Sequence, residues 1–200
     1  VYSSPSIADL DGDGVLDIVF GAWDQCIYRL DQYGNPLWIS LSTNGNCNDR
    51  GFWNQDTVWS SPAVADLNDD GKLEIVIGAD ITKGGPEGYL YVLDDNGHVL
   101  ARKRFPQVFF SSPAIADLDN DGVLNIVVGS GLSSDAGGYY VVFAHYDSGM
   151  ITPTEALAVD WQPATAGKVF ASPAIGDING DGYLDAAVQS FTGDTYPMHG

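Results

Sequence analysis

Four copies of one acidic, glycine-bounded motif and short β-branched runs between turn residues predict an all-β fold. No long stretch has apolar residues at helical spacing, so almost no helix is expected. The architecture these observations point to is a β-propeller of four-stranded antiparallel blades. Four repeats fit in the 200 residues, and the parent ring is expected to be larger, about seven or eight blades.

The repeats read SSPSIADLDGDGVLDIVFGA from Ser3, SSPAVADLNDDGKLEIVIGA from Ser60, SSPAIADLDNDGVLNIVVGS from Ser111 and ASPAIGDINGDGYLDAAVQS from Ala171. Their leading aspartates, Asp9, Asp66, Asp117 and Asp177, lie 57, 51 and 60 residues apart, which suits one blade. The blades are expected at about 3–57, 58–108, 109–168 and 169–200. Within a repeat, Pro-Ala-Ile-Ala-Asp-Leu reads as a short strand A whose small residues fit the crowded channel. The Asp/Gly cluster is a tight loop. Leu16 to Gly21 is strand B, β-branched and closed by glycine. Cys26 to Asp31 is strand C, Gln32 to Asn35 a turn, and Pro36 to Ser40 strand D. The second repeat copies this, with Tyr89 to Asp94 as strand C and Val99 to Arg102 as strand D. The Asn96-Gly97 pair between them favours a hairpin.

The chemistry lies in the loop between strands A and B, with the pattern D-x-[DN]-x-D-G-x-L-[DEN]. The first loop carries Asp9, Asp11, Asp13, Val15 and Asp17; the second Asp66, Asn68, Asp70, Lys72 and Glu74. The third carries Asp117, Asp119, Asp121, Val123 and Asn125; the fourth Asp177, Asn179, Asp181, Tyr183 and Asp185. Oxygen donors alone, on a short loop, match the needs of Ca²⁺. Positions 1, 3 and 5 turn their side chains inward, glycine at position 6 permits the bend, position 7 offers its backbone carbonyl, and position 9 closes the cage. An EF-hand would need Glu at position 12, where Phe20, Ile77, Val128 and Val188 stand, so that alternative fails. The bland alternative is an acidic turn with no metal. Up to four Ca²⁺ are expected, and the first loop, with four carboxylates, is expected to bind tightest.

The net charge is −19, from 27 acidic and 8 basic residues. Such a surface repels phosphate backbones and anionic lipid heads, so nucleic acid is not an expected partner. No stretch approaches a membrane span, so no membrane insertion is expected. Hydrophobic residues at 44% are enough for a core, which excludes disorder. No GxSxG, Walker or HExxH motif is present, and the paired carboxylates are accounted for by calcium, so no enzyme is expected.

These runs resemble FG-GAP/VCBS repeats, the calcium-binding blades also found in integrin α-subunit propellers. The resemblance implies a propeller with calcium in the A–B hairpin of each blade, and an extracellular, secreted or cell-surface role in adhesion. The C and D segments CIYRLDQYGNPLWIS and YLYVLDDNGHVLARKRF also resemble quinoprotein-like propeller repeats.

Alternation of strands puts the B–C and D–A connections on the face opposite calcium. Cys26 and Cys47 both fall there, and a disulfide is the expected pairing, with two buried thiols as the alternative. The long connections from Leu41 to Val58, Asp80 to Gly88 and Gly131 to Gly138 share that face. Phe52 and Trp53 are candidates for stacking on a sugar, weighed against plain packing on the next blade. Three blades read as complete and the fourth stops near its strand C. Further blades or neighbouring chains are therefore expected to complete the ring. The favoured role is a noncatalytic adhesion, binding or scaffold module with an extracellular protein or carbohydrate ligand. The alternatives are the propeller of a secreted polysaccharide lyase or quinoprotein-type enzyme, and a subunit of an extracellular fibre.

Overall fold

The run after each acidic loop, closed by glycine in the first three repeats, forms the second strand of an antiparallel sheet, with most of its residues buried or partly buried. The computed structural model describes residues 3–39, 46–54, 56–81, 86–131, 138–192 and 195–198. Blade 1 is β1 (Ser6–Ala8), β2 (Asp17–Gly21), β3 (Cys26–Leu30) and β4 (Phe52–Trp53). Blade 2 is β5 (Ala63–Ala65), β6 (Glu74–Ile81), β7 (Glu87–Leu93) and β8 (Val99–Phe105). Blade 3 is β9 (Ala114–Ala116), β10 (Asn125–Gly129), β11 (Tyr139–Tyr146) and β12 (Leu157–Trp161), with the short β13 (Ala164–Thr165) also against β11. Blade 4 is β14 (Ala174–Gly176), β15 (Asp185–Gln189) and β16 (Thr195–Met198). Each sheet meanders in chain order, and no α-helix occurs among the described residues.

One expected strand differs. Pro36 to Ser40 was assigned to strand D of blade 1, yet Pro36 only bridges Leu30, and Leu37 N–H donates to Arg29 O. The chain leaves the sheet because Trp38 turns into the core between blades 1 and 2, where its Nε1 donates to Asp95 O at 2.7 Å. Ser40 lies outside the described residues. The rest of the edge is filled by Phe52 and Trp53, opposite Ile27 and Cys26.

The apolar cores lie between blades. One cluster joins Leu10, Val19, Ile27 and Trp38 of blade 1 to Ile75, Ile77 and Leu93 of blade 2. A second joins blades 2 and 3 through Leu67, Val76, Ile126 and Val142, and a third joins blades 3 and 4 through Leu118, Val127 and Ala186. The leucine after each leading aspartate is thus an inter-blade plug. Its counterpart in blade 4, Ile178, is 59% exposed.

Two further repeat residues set the blade spacing. A Cβ built on Gly21 would lie 2.3 Å from Val58 Cγ1, on Gly78 2.4 Å from Phe109 Cβ, and on Gly129 2.1 Å from Val169 Cγ1. Each strand-B glycine is therefore bare backbone on which the next blade rests. In blade 4 the same position is the exposed Gln189. The serines link the inner strands: Ser4 N–H donates to Ser61 Oγ at 2.8 Å, and Ser61 N–H to Ser112 Oγ at 3.0 Å. Around the same rim the rings of Trp23, Trp59, Phe110, Phe170 and Phe191 follow one another at centroid distances of 4.9 to 6.2 Å.

Candidate metal centres

The four A–B loops share one conformation, dictated by residues that tolerate left-handed backbone. Position 6 has φ of +86° at Gly14, +86° at Gly71, +88° at Gly122 and +91° at Gly182. Position 4 is left-handed as well, at Gly12, Asp69, Asn120 and Gly180. Gly, Asn and Asp are the residue types that accept this region at lowest cost. The sequence reading passed over position 4, although its composition carries the signal.

Two left-handed residues curl the loop around the carboxylate of position 1. Asp9 accepts from Asp13 N–H at 3.0 Å and from Gly14 N–H at 2.9 Å. Asp66, Asp117 and Asp177 accept the same pair of bonds in their loops. Position 5 takes the N–H of position 7, as in Asp13 with Val15 at 2.7 Å and Asp121 with Val123 at 2.7 Å. Asp9, Asp11 and Asp13 bring one oxygen each within 4.8 Å of one another, as do Asp117, Asp119 and Asp121. Three carboxylates so close, with no lysine or arginine between them in the third loop, could hold a divalent ion. The second and fourth loops replace the middle carboxylate with Asn68 and Asn179, whose amide oxygens accept from Asp70 N–H and Asp181 N–H.

Position 9 sits beneath each loop and ties it to strand A. Asp17, Glu74, Asn125 and Asp185 accept the N–H of position 2 at 3.2, 2.7, 2.9 and 2.9 Å. Burial pushes the Glu74 carboxyl up to about 7, against the pull of the Leu67 N–H, with Asp70 and Asp66 adding repulsion. A divalent ion among these groups would reverse that repulsion.

Blade 1 differs in a way its motif does not reveal. Arg29, 4% exposed, reaches from β3 into the loop. Its Nη2 lies 2.6 Å from Asp11 Oδ2 and 2.7 Å from Asp17 Oδ2. Its Nη1 donates to Asp95 O of blade 2 at 2.8 Å. Donation from Arg29 holds the Asp11 carboxyl below its usual range.

On the opposite face Cys26 and Cys47 form a disulfide, with Cα atoms 5.8 Å apart, tying β3 to the 3₁₀ turn Asn46–Asp49. Phe52 and Trp53 belong to β4 rather than to a loop. Phe52 packs edge-on against Tyr91, and Trp53 Nε1 donates to Gln25 Oε1 at 3.1 Å. His145 lies near the end of β11, and its Nδ1 lies 2.8 Å from Asp160 Oδ1. Much of the three long connections, residues 41–45, 82–85 and 132–137, lies outside the described residues. Asp80 was not singled out by sequence, yet it is 1% exposed at the end of β6. Burial first, and then Asp56, push its carboxyl up to about 8.

Residues 66–128, which span the second loop to the end of the third strand B, match the model of the FG-GAP-like repeat. This segment is similar to the FG-GAP-like repeat. Its motif and loop geometry recur in the first and fourth blades. The fold is that of propeller blades, similar to several solved structures. The BBS1N chain of a complex with ARL6DN, from a crystal soaked with lead, aligns with a TM-score of 0.59 at 15% identity, over 99% of this chain and 51% of that one. The Pseudomonas aeruginosa PilY1 C-terminal domain aligns at 0.57 and 21%, over 92% of this chain and 38% of that one. A europium-containing methanol dehydrogenase aligns at 0.57 and 15%, over 94% and 39%. This chain therefore spans about half or less of the length of these proteins, and the likeness is one of fold.

Proposed function

We propose that this FG-GAP-like chain is a calcium-binding part of a noncatalytic extracellular propeller, acting as a binding or scaffold module. The observation that carries the calcium assignment is the shared loop geometry. Four loops of the same left-handed form curl around a position-1 carboxylate, and two of them gather three carboxylate oxygens within 4.8 Å. Positions 1, 3 and 5 would supply side-chain oxygens and position 7 its carbonyl, with position 9 bracing the loop from below. Each ion would join strand A to strand B of its blade, and in the second blade it would relieve the repulsion that Asp70 and Asp66 add to the burial of Glu74. The disulfide supports an oxidising compartment. The excess of acid, −19, favours a soluble surface in a calcium-rich medium; four ions would offset about eight of those charges.

Calorimetric titration with CaCl₂ is the deciding measurement, run beside thermal unfolding in excess EGTA. Saturation at about 100 times Kd stabilises by about 2.7 kcal/mol per site, so chelation is expected to lower Tm by about 5–10 °C for each filled site. No heat of binding together with an unchanged Tm rejects the proposal.

A further inference from the structure

We propose that Arg29 is a built-in counter-cation for the A–B loop of blade 1, which makes that loop the weakest of the four for calcium and keeps it ordered without the ion. The inference rests on the calcium assignment made above, and it reverses the ranking expected from carboxylate number alone. At the ligand positions 1, 3, 5 and 9 the first loop has one carboxylate more than each of the others: Asp9, Asp11, Asp13 and Asp17, against Asp66, Asp70 and Glu74, then Asp117, Asp119 and Asp121, then Asp177, Asp181 and Asp185. The single positive charge of Arg29 cancels that excess.

Placement adds to charge. Arg29 is cross-strand to Val19 on β2, and the equivalent β3-type positions hold Val92 opposite Val76, Phe143 opposite Val127 and Pro197 opposite Ala187. Only blade 1 has a cation there. Its Nη2 occupies Oδ2 of both Asp11 and Asp17, so an incoming ion competes with the guanidinium for Asp11 oxygens and meets a like charge beside them. Arginine does not lose its proton at working pH, so the competition is permanent. Arg29 is also buried, and its Nε has no hydrogen-bond partner, so the head group is held by the Asp11 and Asp17 carboxylates and by Asp95, whose carbonyl accepts from Nη1 and whose carboxylate lies 4.0 Å from it. That last bond makes the same residue a clasp between the first loop and the C–D turn of blade 2.

The test is calorimetric titration of the chain with CaCl₂, before and after Arg29→Met, which keeps much of the buried volume and removes the charge. The wild type is expected to show one step weaker than the rest by at least about tenfold, and Asp9→Ala to abolish that step alone. Arg29→Met is expected to bring the weak step in among the strong ones. Four equal steps, loss of a strong step in Asp9→Ala, or an unmoved weak step in Arg29→Met overturns the role of Arg29 and leaves calcium binding standing. No binding at any loop sinks the calcium assignment instead. If Arg29→Met does not fold, hydrogen exchange of the wild type in EGTA decides. The amides of Asp13, Gly14 and Val15 should exchange at least about tenfold more slowly than those of Asp121, Gly122 and Val123; equal rates overturn the proposal.

Discussion

Asp80 shows what a single side chain can do to the pH dependence of the whole fold. It is buried at the end of β6, and its Oδ1 has no hydrogen-bond partner, nor has Oδ1 of buried Asn54. Two acceptors without a donor favour a protonated carboxyl, whose hydroxyl can donate. The folded value of about 8 stands above the ordinary 3.8. Its contribution to stability is thus complete below about pH 4 and is lost as pH rises through about 8. Asp80→Asn, a neutral replacement of the same shape, is expected to be more stable than wild type at pH 9 by roughly 1–3 kcal/mol. The advantage should vanish near pH 4, and urea unfolding at the two pH values checks it. Arg29 and Asp80 were both silent in the sequence for the same reason. Each acts on groups far along the chain, Asp95 in one case and Asp56 in the other, and only the fold brings them together.

At the scale of the element, local chemistry was legible and long-range pairing was not. The A–B loops announce themselves because the backbone N–H bonds that curl them span at most seven residues, from Leu10 to Asp17 or from Gly14 to Asp9. The strands B follow from β-branched runs ending in glycine. Strand D of blade 1 escaped prediction because its two pieces, Pro36 and Phe52–Trp53, lie far apart in the chain, on either side of Cys47. That disulfide closes a separation of 21 residues, so replacing both Cys26 and Cys47 by serine is expected to cost about 3 kcal/mol in denaturant unfolding. The glycines of strands B make a sharper forecast. Gly129→Ala drives a methyl into Val169 and should destabilise by about 1–3 kcal/mol, with Val169→Ala in the same chain recovering part of the loss.

Across the molecule, three apolar cores join four blades in a row, and one rim of that row is stitched by serines and aromatic rings. The period of the repeat made this order readable from sequence; the interlock between blades was hidden, since the Ser-Ser-Pro and glycine positions look like turn residues. A chain with a net charge of −19 repels itself when compact. In EGTA, raising NaCl from about 20 to about 300 mM shortens the screening length to below about 10 Å and should raise Tm. With calcium saturating, the same change should matter much less. Thermal scans in the four conditions check this.

Gln189 gives this row a direction and an asymmetry. At three joints an incoming blade seats an apolar side chain directly on a glycine, as a tenon enters a mortise. Beside the fourth blade the mortise is plugged by an amide-bearing side chain that can donate and accept. A neighbour cut to the common mould cannot seat there at the common depth. It must stand further off, offer a residue no larger than glycine, or meet the amide with polar groups of its own. A blade meeting this edge would thus face an amide, where the three joints present seat Val58, Phe109 and Val169 on glycine.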